Sequence, residues 1–367
     1  MLVMKIILIG ELQTIMSNFE SKHCKFAWPT VARLKNGRIA VAASGYRRRH
    51  VCPFGKTVLS ISENEGETYT VPAPVIDTVL DDRDGGLCPF GESGLIVTSF
   101  NISNERMREY TKTYTDNDWE DWDTQAKEIG AYAMAYMDTV TPEEEAEVLG
   151  VTFKISYDNG VTFGPLMKSP VSSPHGPIEL QNGEILWVGS VNNNCHDLEA
   201  HILNLDGTFE KVGEFEYVDL GESTENCEPY TAQLPDGTLI THIRVQPEFT
   251  MLQSISKDNG RTWTKPVRLF EDHEGAPGHI LVHSSGALIG TYSHRQNPRA
   301  IRVMISFDNG ETWDYGHDIY TIHDQVVDLG YPSTVELKDG TLATVFYSQY
   351  DDMTPSVILQ QKWKFEK

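Results

Sequence analysis

Short apolar segments alternate with polar turns along most of the chain, and the turns repeat a small set of sequences. Two apolar segments joined by Asn-Gly, Asp-Gly or Ser-Gly are typical of a β-hairpin, because glycine adopts the positive φ that such turns require. Six segments fit this pattern: 28–44, 86–100, 175–190, 228–244, 278–295 and 330–348. The turn glycines Gly183, Gly237, Gly286 and Gly340 are 54, 49 and 54 residues apart. This period indicates stacked supersecondary units.

A second motif lies between the hairpins and reads as a tight turn followed by an aromatic residue. Its copies are SENEGETY (62–69), SYDNGVTF (156–163), SKDNGRTW (256–263) and SFDNGETW (306–313), with a degenerate copy, LDGTF, at 205–209. The Asp or Asn side chain caps the turn, glycine takes the positive φ, and the aromatic ring packs beneath. Six hairpins, of which the first five are each followed by a copy of the turn motif that joins two more strands, predict an all-β, six-bladed propeller of four-stranded blades. The alternative is two separate β domains.

Two departures from the repeat predict how the ring closes and where it is interrupted. The sixth hairpin has no turn motif after it, and the apolar segment 5–10 precedes the first hairpin, so we expect this N-terminal strand to complete the last blade. The segment 101–148 lengthens the second repeat, is charged and has a helical composition. We therefore expect one propeller domain over 1–367, with a partly helical insertion at 101–148 in blade two. The insertion could be a lid, an oligomer contact or a solvated surface segment.

The charge balance narrows the set of partners. The chain has 53 Asp and Glu residues against 30 Lys and Arg, a formal net charge of -23. Nucleic acids and anionic membrane surfaces are themselves negative, so we expect neither as a partner. The N-terminal apolar run is short and lacks a cleavage site, and the five cysteines show no metal-type spacing. These features predict a cytoplasmic protein with reduced thiols, no metal and no cofactor, which could form homo-oligomers.

One end of the predicted propeller collects candidate functional side chains. The hairpin turns lie at the opposite end, so the starts of the first strands and the ends of the second strands meet here. The residues expected there are Trp28, Arg47, Arg48, Arg49 and His50 from blade one, Arg83, Asp84 and Asn101 from blade two, His175 and 192–194 from blade three, Glu225, Glu228 and Arg244 from blade four, His279, His294 and Arg295 from blade five, and Asp328, Tyr331, Tyr347 and Gln349 from blade six. Arginine suits carboxylate or phosphate recognition, and a carboxylate beside tyrosine or histidine suits nucleophilic or acid–base chemistry.

The turn motif resembles the Asp-box of the sialidase superfamily. The segments EPYTAQLPDGTLITHIR (228–244) and GYPSTVELKDGTLATVFY (330–347) are similar to the fourth and sixth blades of sialidase-type enzymes. The resemblance implies a tyrosine nucleophile activated by a glutamate, an aspartate as acid and base, and three arginines that bind the substrate carboxylate. By position it implies Tyr331 as the nucleophile and Arg244 as the second arginine. Two roles have competitors: Glu228, with Glu225 as a substitute, for the activating glutamate, and Arg295, with Arg299 and Arg302 as alternatives, for the third arginine.

The chain departs from the sialidase pattern at two places. Where sialidases have Phe-Arg-Ile-Pro, this chain has Phe26-Ala27-Trp28-Pro29, which removes an arginine and adds an indole that could stack on a sugar face. The tract Arg47–His50 contains no acid at the place of the family's aspartate. Asp84 is the nearest replacement for the acid and base, with His50 or His175 as alternatives. Arg47, Arg48 and His279 are further expected substrate-binding residues.

These observations predict a sialidase-like glycosidase that acts on the end of an acidic oligosaccharide, with a uronic acid as one candidate substrate. Two other functions remain open. A uronate lyase would use arginine to neutralise the carboxylate while tyrosine or histidine removes the α-proton. A glycan-binding propeller would have the same cavity without the chemistry.

Overall fold

The computed structural model describes residues 4–115, 122–191, 195–221, 223–270, 273–323, 328–350 and 354–366. It confirms the all-β, six-bladed propeller. Each blade is an antiparallel sheet whose two inner strands form one of the six predicted hairpins. The outer two strands of blades 1 to 5 flank the turn motif or its degenerate copy.

The strands follow the chain from blade to blade. The first strand, β1 (Lys5–Met16), belongs to the last blade, and blade 1 contains β2 (Lys25–Arg33), β3 (Ile39–Arg47), β4 (Lys56–Ser62) and β5 (Ala73–Ile76). Blade 2 contains β6 (Arg83–Phe90), β7 (Gly94–Phe100), β8 (Val151–Ser156) and β9 (Met167–Ser169). Blade 3 contains an inner strand in two pieces, β10 (Val171–Ser172) and β11 (Ile178–Glu179), then β12 (Ile185–Val191), β13 (Leu198–Leu203) and β14 (Phe209–Glu214).

The remaining blades complete the ring. Blade 4 contains β15 (Glu225–Gln233), β16 (Leu239–Gln246), β17 (Thr250–Ser256) and β18 (Val267–Arg268). Blade 5 contains β19 (Gly278–Val282), β20 (Leu288–His294), β21 (Arg299–Ser306) and β22 (Asp314–Ile322). Blade 6 contains β23 (Gly330–Glu336), β24 (Leu342–Ser348), β25 (Val357–Glu366) and, as its outermost strand, β1 (Lys5–Met16). The antiparallel pairing of β1 with β25 confirms that the N-terminal strand completes the last blade.

The turn motif has the structure that its residues predict. In the second copy the Asp158 carboxylate accepts hydrogen bonds from the backbone and the hydroxyl of Thr162. Asn159 and Gly160 both have positive φ, 57° and 83°. The third and fourth copies make the same aspartate–threonine bonds. Because these interactions are local, the sequence is sufficient to place the turns.

Apolar side chains fill the spaces between neighbouring blades. Between blades 1 and 2, Leu34 and Leu59 pack against Leu95 and Val97. Similar clusters join the other neighbouring pairs, including blades 6 and 1 at the closure. Burial of these side chains holds each blade against the next, and thereby places the inner strands of all six blades around one axis.

The helical insertion lies between β7 and β8, as predicted. It consists of α1 (Asn104–Thr115), α2 (Trp122–Met137) and α3 (Pro142–Val148). Met107 and Met137 are buried and pack near Val51 and Phe54 of blade 1. The insertion is therefore docked on the β3–β4 connection. None of the described helices is long and apolar enough to cross a membrane.

Candidate functional site

Four inner strands carry the same backbone irregularity at the end of the ring opposite the hairpin turns. Trp28, Asp84, Glu228 and Tyr331 have left-handed φ values of 53°, 47°, 49° and 52°. A register shift with the neighbouring strand accompanies each one. Such bulges re-aim a side chain, and a positive φ in a residue other than glycine stores strain of about 1–3 kcal/mol. The fold therefore concentrates strain at four equivalent positions.

The four residues occupy equivalent positions in their blades, because each is the same distance from its hairpin turn. Each residue lies six positions before the residue that opens its hairpin turn: Leu34, Phe90, Leu234 and Leu337, respectively. In blades 3 and 5 the corresponding residues are Pro174 and Pro277. A proline ring fixes φ near -65°, so these two blades cannot form the same bulge. Four of six blades thus direct a large or ionisable side chain to this end.

Tyr331, Glu228 and Arg244 form one hydrogen-bonded group. The Tyr331 hydroxyl donates to Glu228 Oε1 at 2.6 Å, and Arg244 Nη1 donates to Glu228 Oε2 at 2.7 Å. Arg244 Nη1 also lies 3.2 Å from Tyr331 Oη. Burial, reinforced by the negative charge of Glu228, raises the pKa of Tyr331 well above its ordinary value. Tyr331 is therefore a neutral phenol whose proton is already directed at a carboxylate.

Arg295 lies beside this group and forms no ion pair within 4 Å among the described residues, although its charge helps to lower the pKa of Asp328. Its guanidinium carbon is 5.7 Å from the centre of the Tyr331 ring. Its Nε is buried and has no hydrogen-bond partner. A Cβ on Gly330 would lie 2.6 Å from Arg295 Nη2, so a larger residue at position 330 would displace the guanidinium. Arg295 is consequently a cation held in a fixed position beside Tyr331.

Asp84 supplies a carboxyl group of near-neutral pKa. Burial raises the pKa of Asp84 to about 7; Arg83 opposes this shift and the charge of Glu228 adds to it. A carboxyl group with this pKa exists in both protonation states near neutrality. That property suits a residue that must both give and take a proton.

His50 belongs to a second hydrogen-bonded group at the same end. Its Nδ1 lies 2.7 Å from Asp328 Oδ2, and the Tyr347 hydroxyl donates to Asp328 Oδ1 at 2.9 Å. Burial opposes ionisation of Asp328, but the hydrogen bond to His50 holds the pKa of Asp328 at about 2. Burial also lowers the pKa of His50, against the opposing effect of Asp328. The ionised Asp328 orients the His50 ring, as a carboxylate does for a histidine base.

A cavity of about 520 Å³ opens above these residues. Glu228, Asp84, Arg83 and His50 lie on its wall, with Pro174 at the position where blade 3 lacks a bulge. Arg106 and Tyr110 of α1 form another part of the wall. The insertion therefore contributes side chains to the cavity.

Arg47 does not occupy the substrate-binding role expected for it. Its side chain is 0% exposed, and both terminal nitrogens donate to the Asp81 carboxylate at 2.6 and 2.8 Å. A cation that is fully enclosed and paired has no surface to offer a ligand. Arg47 instead fixes the end of β3 against the start of blade 2.

Arg48 also differs from expectation because it turns toward the insertion. Its guanidinium carbon lies 5.2 Å from the centre of the Tyr132 ring, and its Nη2 lies 3.7 Å from Glu128, both on α2. Arg48 thus packs blade 1 against the insertion. The substrate-binding role expected for Arg48 therefore conflicts with its contacts to the insertion.

Trp28 and the two axial histidines are enclosed rather than presented to the cavity. Trp28 is 2% exposed, with the Arg83 guanidinium carbon 4.1 Å from the ring centre, so its indole has no free face for a sugar. His175 is fully buried and bonded to Thr30, and burial lowers its pKa to about 3. His279 packs against His175 with ring centres 5.1 Å apart. The proton-donor role considered for His175 therefore conflicts with its burial, and His279 belongs to the packed centre of the ring.

Some contributions to the site were not singled out from the sequence. Arg83, Asp328 and Tyr347 were placed at the correct end but were given no role. The bulge positions could have been found by aligning the hairpins on the residue that opens each turn, since three of the four precede proline. Arg106 and Tyr110 lie outside the repeat, and no such alignment reaches them. Asn192–Asn194 lie outside the described residues.

The described residues contain no group of three or more His, Cys, Asp or Glu side chains placed to hold a metal ion.

Comparison with known proteins gives a family and a set of similar folds. The family model described as a BNR repeat-like domain matches residues 130–344. No curated protein matches the sequence. A protein of unknown function from Dyadobacter fermentans has a similar solved structure, with 18% identity, a TM-score of 0.72 and coverage of 99% of both chains.

Sialidases are also among the similar solved structures. The NanB sialidase of Streptococcus pneumoniae is 13% identical with a TM-score of 0.67, over 96% of this chain and 70% of that chain. The intramolecular trans-sialidase of Ruminococcus gnavus is 14% identical with a TM-score of 0.62, over 96% of this chain and 98% of that one. Identities this low establish similarity of fold.

Proposed function

Because the chain belongs to the family of BNR repeat-like domains and has a sialidase-like fold, we propose that it is a glycoside hydrolase that acts on the end of an acidic oligosaccharide. The proposal depends chiefly on one observation: the Tyr331 hydroxyl, the Glu228 carboxylate and the Arg244 guanidinium contact one another, and Glu228 lies on the wall of an open cavity. A buried tyrosine needs one partner for its hydroxyl, whereas this one has both a base and a cation.

In the first step, Tyr331 Oη attacks the anomeric carbon while Glu228 takes the phenolic proton. Because the pKa of Tyr331 is raised, its hydroxyl is protonated before the reaction, so transfer of this proton to Glu228 must accompany the attack. A neutral nucleophile is suited to a sugar that carries a carboxylate near the reacting carbon, since an ionised nucleophile would be repelled by it.

Departure of the leaving group needs a proton, which Asp84 donates to the glycosidic oxygen. In the second step Asp84 takes a proton from water, the water attacks the anomeric carbon, and the bond to Tyr331 Oη breaks. Arg244 Nη1, 3.2 Å from that oxygen, stabilises the negative charge that develops as it leaves. Glu228 then returns the proton to Tyr331.

The cations beside the site point to an acidic substrate other than sialic acid. The buried Nε of Arg295 has no hydrogen-bond partner among the described residues, and Arg83 lies on the cavity wall. These two arginines bind the substrate carboxylate in the proposed complex. Ala27, which is buried, stands where sialidases have their first arginine, so the carboxylate is held differently. A uronic acid at the non-reducing end fits this arrangement.

The proposal is tested by screening aryl glycosides and oligosaccharides that end in uronic acids, with sialosides and neutral sugars beside them. We expect release of the acidic sugar by the wild type and none by the Tyr331→Phe variant. Formation of an unsaturated sugar would show that the enzyme catalyses elimination rather than hydrolysis. Binding of an acidic glycan without any product would identify a binding module instead.

A further inference from the structure

Two cysteines from neighbouring blades lie on the wall of the same cavity. Cys195 is in the connection between β12 and β13 of blade 3, and Cys227 is on β15 of blade 4. The backbone N–H of Asn226 donates to the Cys195 carbonyl at 2.7 Å, which holds the two segments side by side. Both thiols are free in the structure. A backbone contact next to each cysteine is compatible with the Cα separation that a disulfide requires.

The two thiols have different environments. Cys227 is buried, whereas Cys195 is partly exposed. The hydrogen bond between them lowers the pKa of Cys195, while the same contact and burial raise the pKa of Cys227. An accessible thiol of lowered pKa attacks an oxidant readily, and a neighbouring thiol can then resolve the product if its proton passes to the departing hydroxide as its sulfur attacks.

The other three cysteines lack this arrangement. Cys52 and Cys88 are buried, and burial raises the pKa of the Cys88 thiol. Cys24 is partly exposed, but its thiol contacts the backbone carbonyl of Lys22 rather than another sulfur. Cys24 is therefore a matched control for exposure without a partner.

We propose that Cys195 and Cys227 are a redox-sensitive pair that closes to a disulfide at the cavity wall when the protein meets a hydroperoxide. The Cys195 thiolate attacks one peroxide oxygen, so an S–O bond forms, the O–O bond breaks and an alcohol or water leaves. The Cys227 sulfur then attacks Cys195, an S–S bond forms, the S–O bond breaks and water leaves. Two thiols lose two electrons and two protons, and one peroxide is reduced. A dithiol reductant reverses the change.

Closure would change the site as well as the thiols. Cys227 directly precedes Glu228 on β15, so a disulfide ties the strand that carries Glu228 to blade 3. The redox proposal does not depend on glycosidase activity, because disulfide formation is a property of the two sulfurs alone.

Peptide mapping tests the proposal directly. Lys211 is the only Lys or Arg between the two cysteines, so trypsin separates them into peptides 169–211 and 212–244. The native protein is treated with hydrogen peroxide, quenched with iodoacetamide, denatured and digested without reductant. We expect the two peptides to be recovered as one linked species that reductant separates, with a loss of two of the five free thiols.

Matched variants define what each outcome means. Cys195→Ser and Cys227→Ser should abolish the linked species, whereas Cys24→Ser should leave it unchanged. Separate recovery of the two peptides, alkylated or carrying Cys195 over-oxidised to sulfinic acid, would overturn the proposal. Linkage of Cys195 to Cys24, Cys52 or Cys88 would overturn it equally. The readout requires no substrate, so failure here is distinct from failure of the proposed hydrolase.

Discussion

Tyr331 donates a 2.6 Å hydrogen bond to Glu228, although the two residues are 103 positions apart and belong to different blades. Both residues have left-handed backbones and sit on equivalent bulges. If this contact is catalytic, removing either side should have the same consequence. We expect Tyr331→Phe and Glu228→Gln each to lower kcat by about a thousandfold or more, because each prevents attack by the phenolic oxygen.

The double variant and a remote tyrosine provide the controls for this experiment. The Tyr331→Phe, Glu228→Gln double variant should lose little more than either single variant, since residues that act together are not additive. Tyr69→Phe removes a hydrogen bond of the same length, to Gln360, away from the site and should leave kcat unchanged. Additive losses would show that Tyr331 and Glu228 act separately.

Arg244 should be important for stability as well as activity. Its substitution by methionine leaves Glu228 without its cation in a largely buried setting, and we expect a loss of roughly 3 kcal/mol in the free energy of unfolding. The matched control is Lys265→Met, whose pair with Glu216 is exposed and should contribute about 1 kcal/mol or less. Denaturant unfolding compares the two, and equal losses would contradict the special role of the Arg244 pair.

Asp84 should make the protein less stable as the pH rises. Its pKa is raised from 3.8 to about 7 in the folded state, so between these values the unfolded chain has released a proton that the folded chain retains. The stabilisation is complete below the unfolded pKa and is lost as the pH rises through about 7. In the Asp84→Asn variant, the free energy of unfolding should therefore fall less steeply with pH, by up to about 1.4 kcal/mol per pH unit over this range. Denaturant unfolding at a series of pH values measures the difference.

Asp82 is a control for that pH experiment. Burial raises its pKa to about 7 as well, but its carboxylate is bonded to Thr78 and is not on the cavity wall. Asp82→Asn should flatten the stability curve in the same direction while leaving the pH profile of activity unchanged. A pH profile altered by Asp82→Asn and not by Asp84→Asn would remove Asp84 from the mechanism.

The identity of the proton donor can be decided by leaving-group dependence. Asp84→Asn should lower activity by about 10²–10⁴-fold on an oligosaccharide, yet much less on an aryl glycoside whose leaving group needs no proton. His50→Gln removes the other candidate proton donor on the cavity wall, whose partner is the ionised Asp328. If only His50→Gln shows this dependence on the leaving group, then His50, oriented by Asp328, is the donor.

The insertion should influence the binding of longer substrates. Tyr110 lies on the cavity wall beside Arg106, whose guanidinium carbon is 5.6 Å from its ring centre. Tyr110→Ala should raise KM for an oligosaccharide by about three- to tenfold, through loss of an aromatic contact, and leave KM for an aryl monosaccharide unchanged. Tyr157→Ala, at an exposed tyrosine within the second copy of the turn motif, serves as the control. Equal effects on both substrates would contradict a role for Tyr110 beyond the first sugar.

The propeller could be predicted from the sequence because its signals are local. Alternation, the turn glycines and the aspartate–threonine contacts of the turn motif all lie within a few residues of one another. Even closure by the segment 5–10 followed from counting strands in the last repeat. The resemblance to sialidases also identified Tyr331, Glu228 and Arg244, which the fold brings into contact.

Only the tertiary structure decided which polar residues face the cavity. Arg47 and Arg48 belong to one tract, yet Arg47 is buried in an ion pair with Asp81, whereas Arg48 packs against Tyr132 of the insertion. Asp84 has an ordinary sequence context, but its burial beside Glu228 raises its pKa to about 7. Burial, ion pairing and strand register depend on segments far apart in the chain. For that reason the sequence by itself determined the scaffold and the central contact, and packing determined the rest of the site.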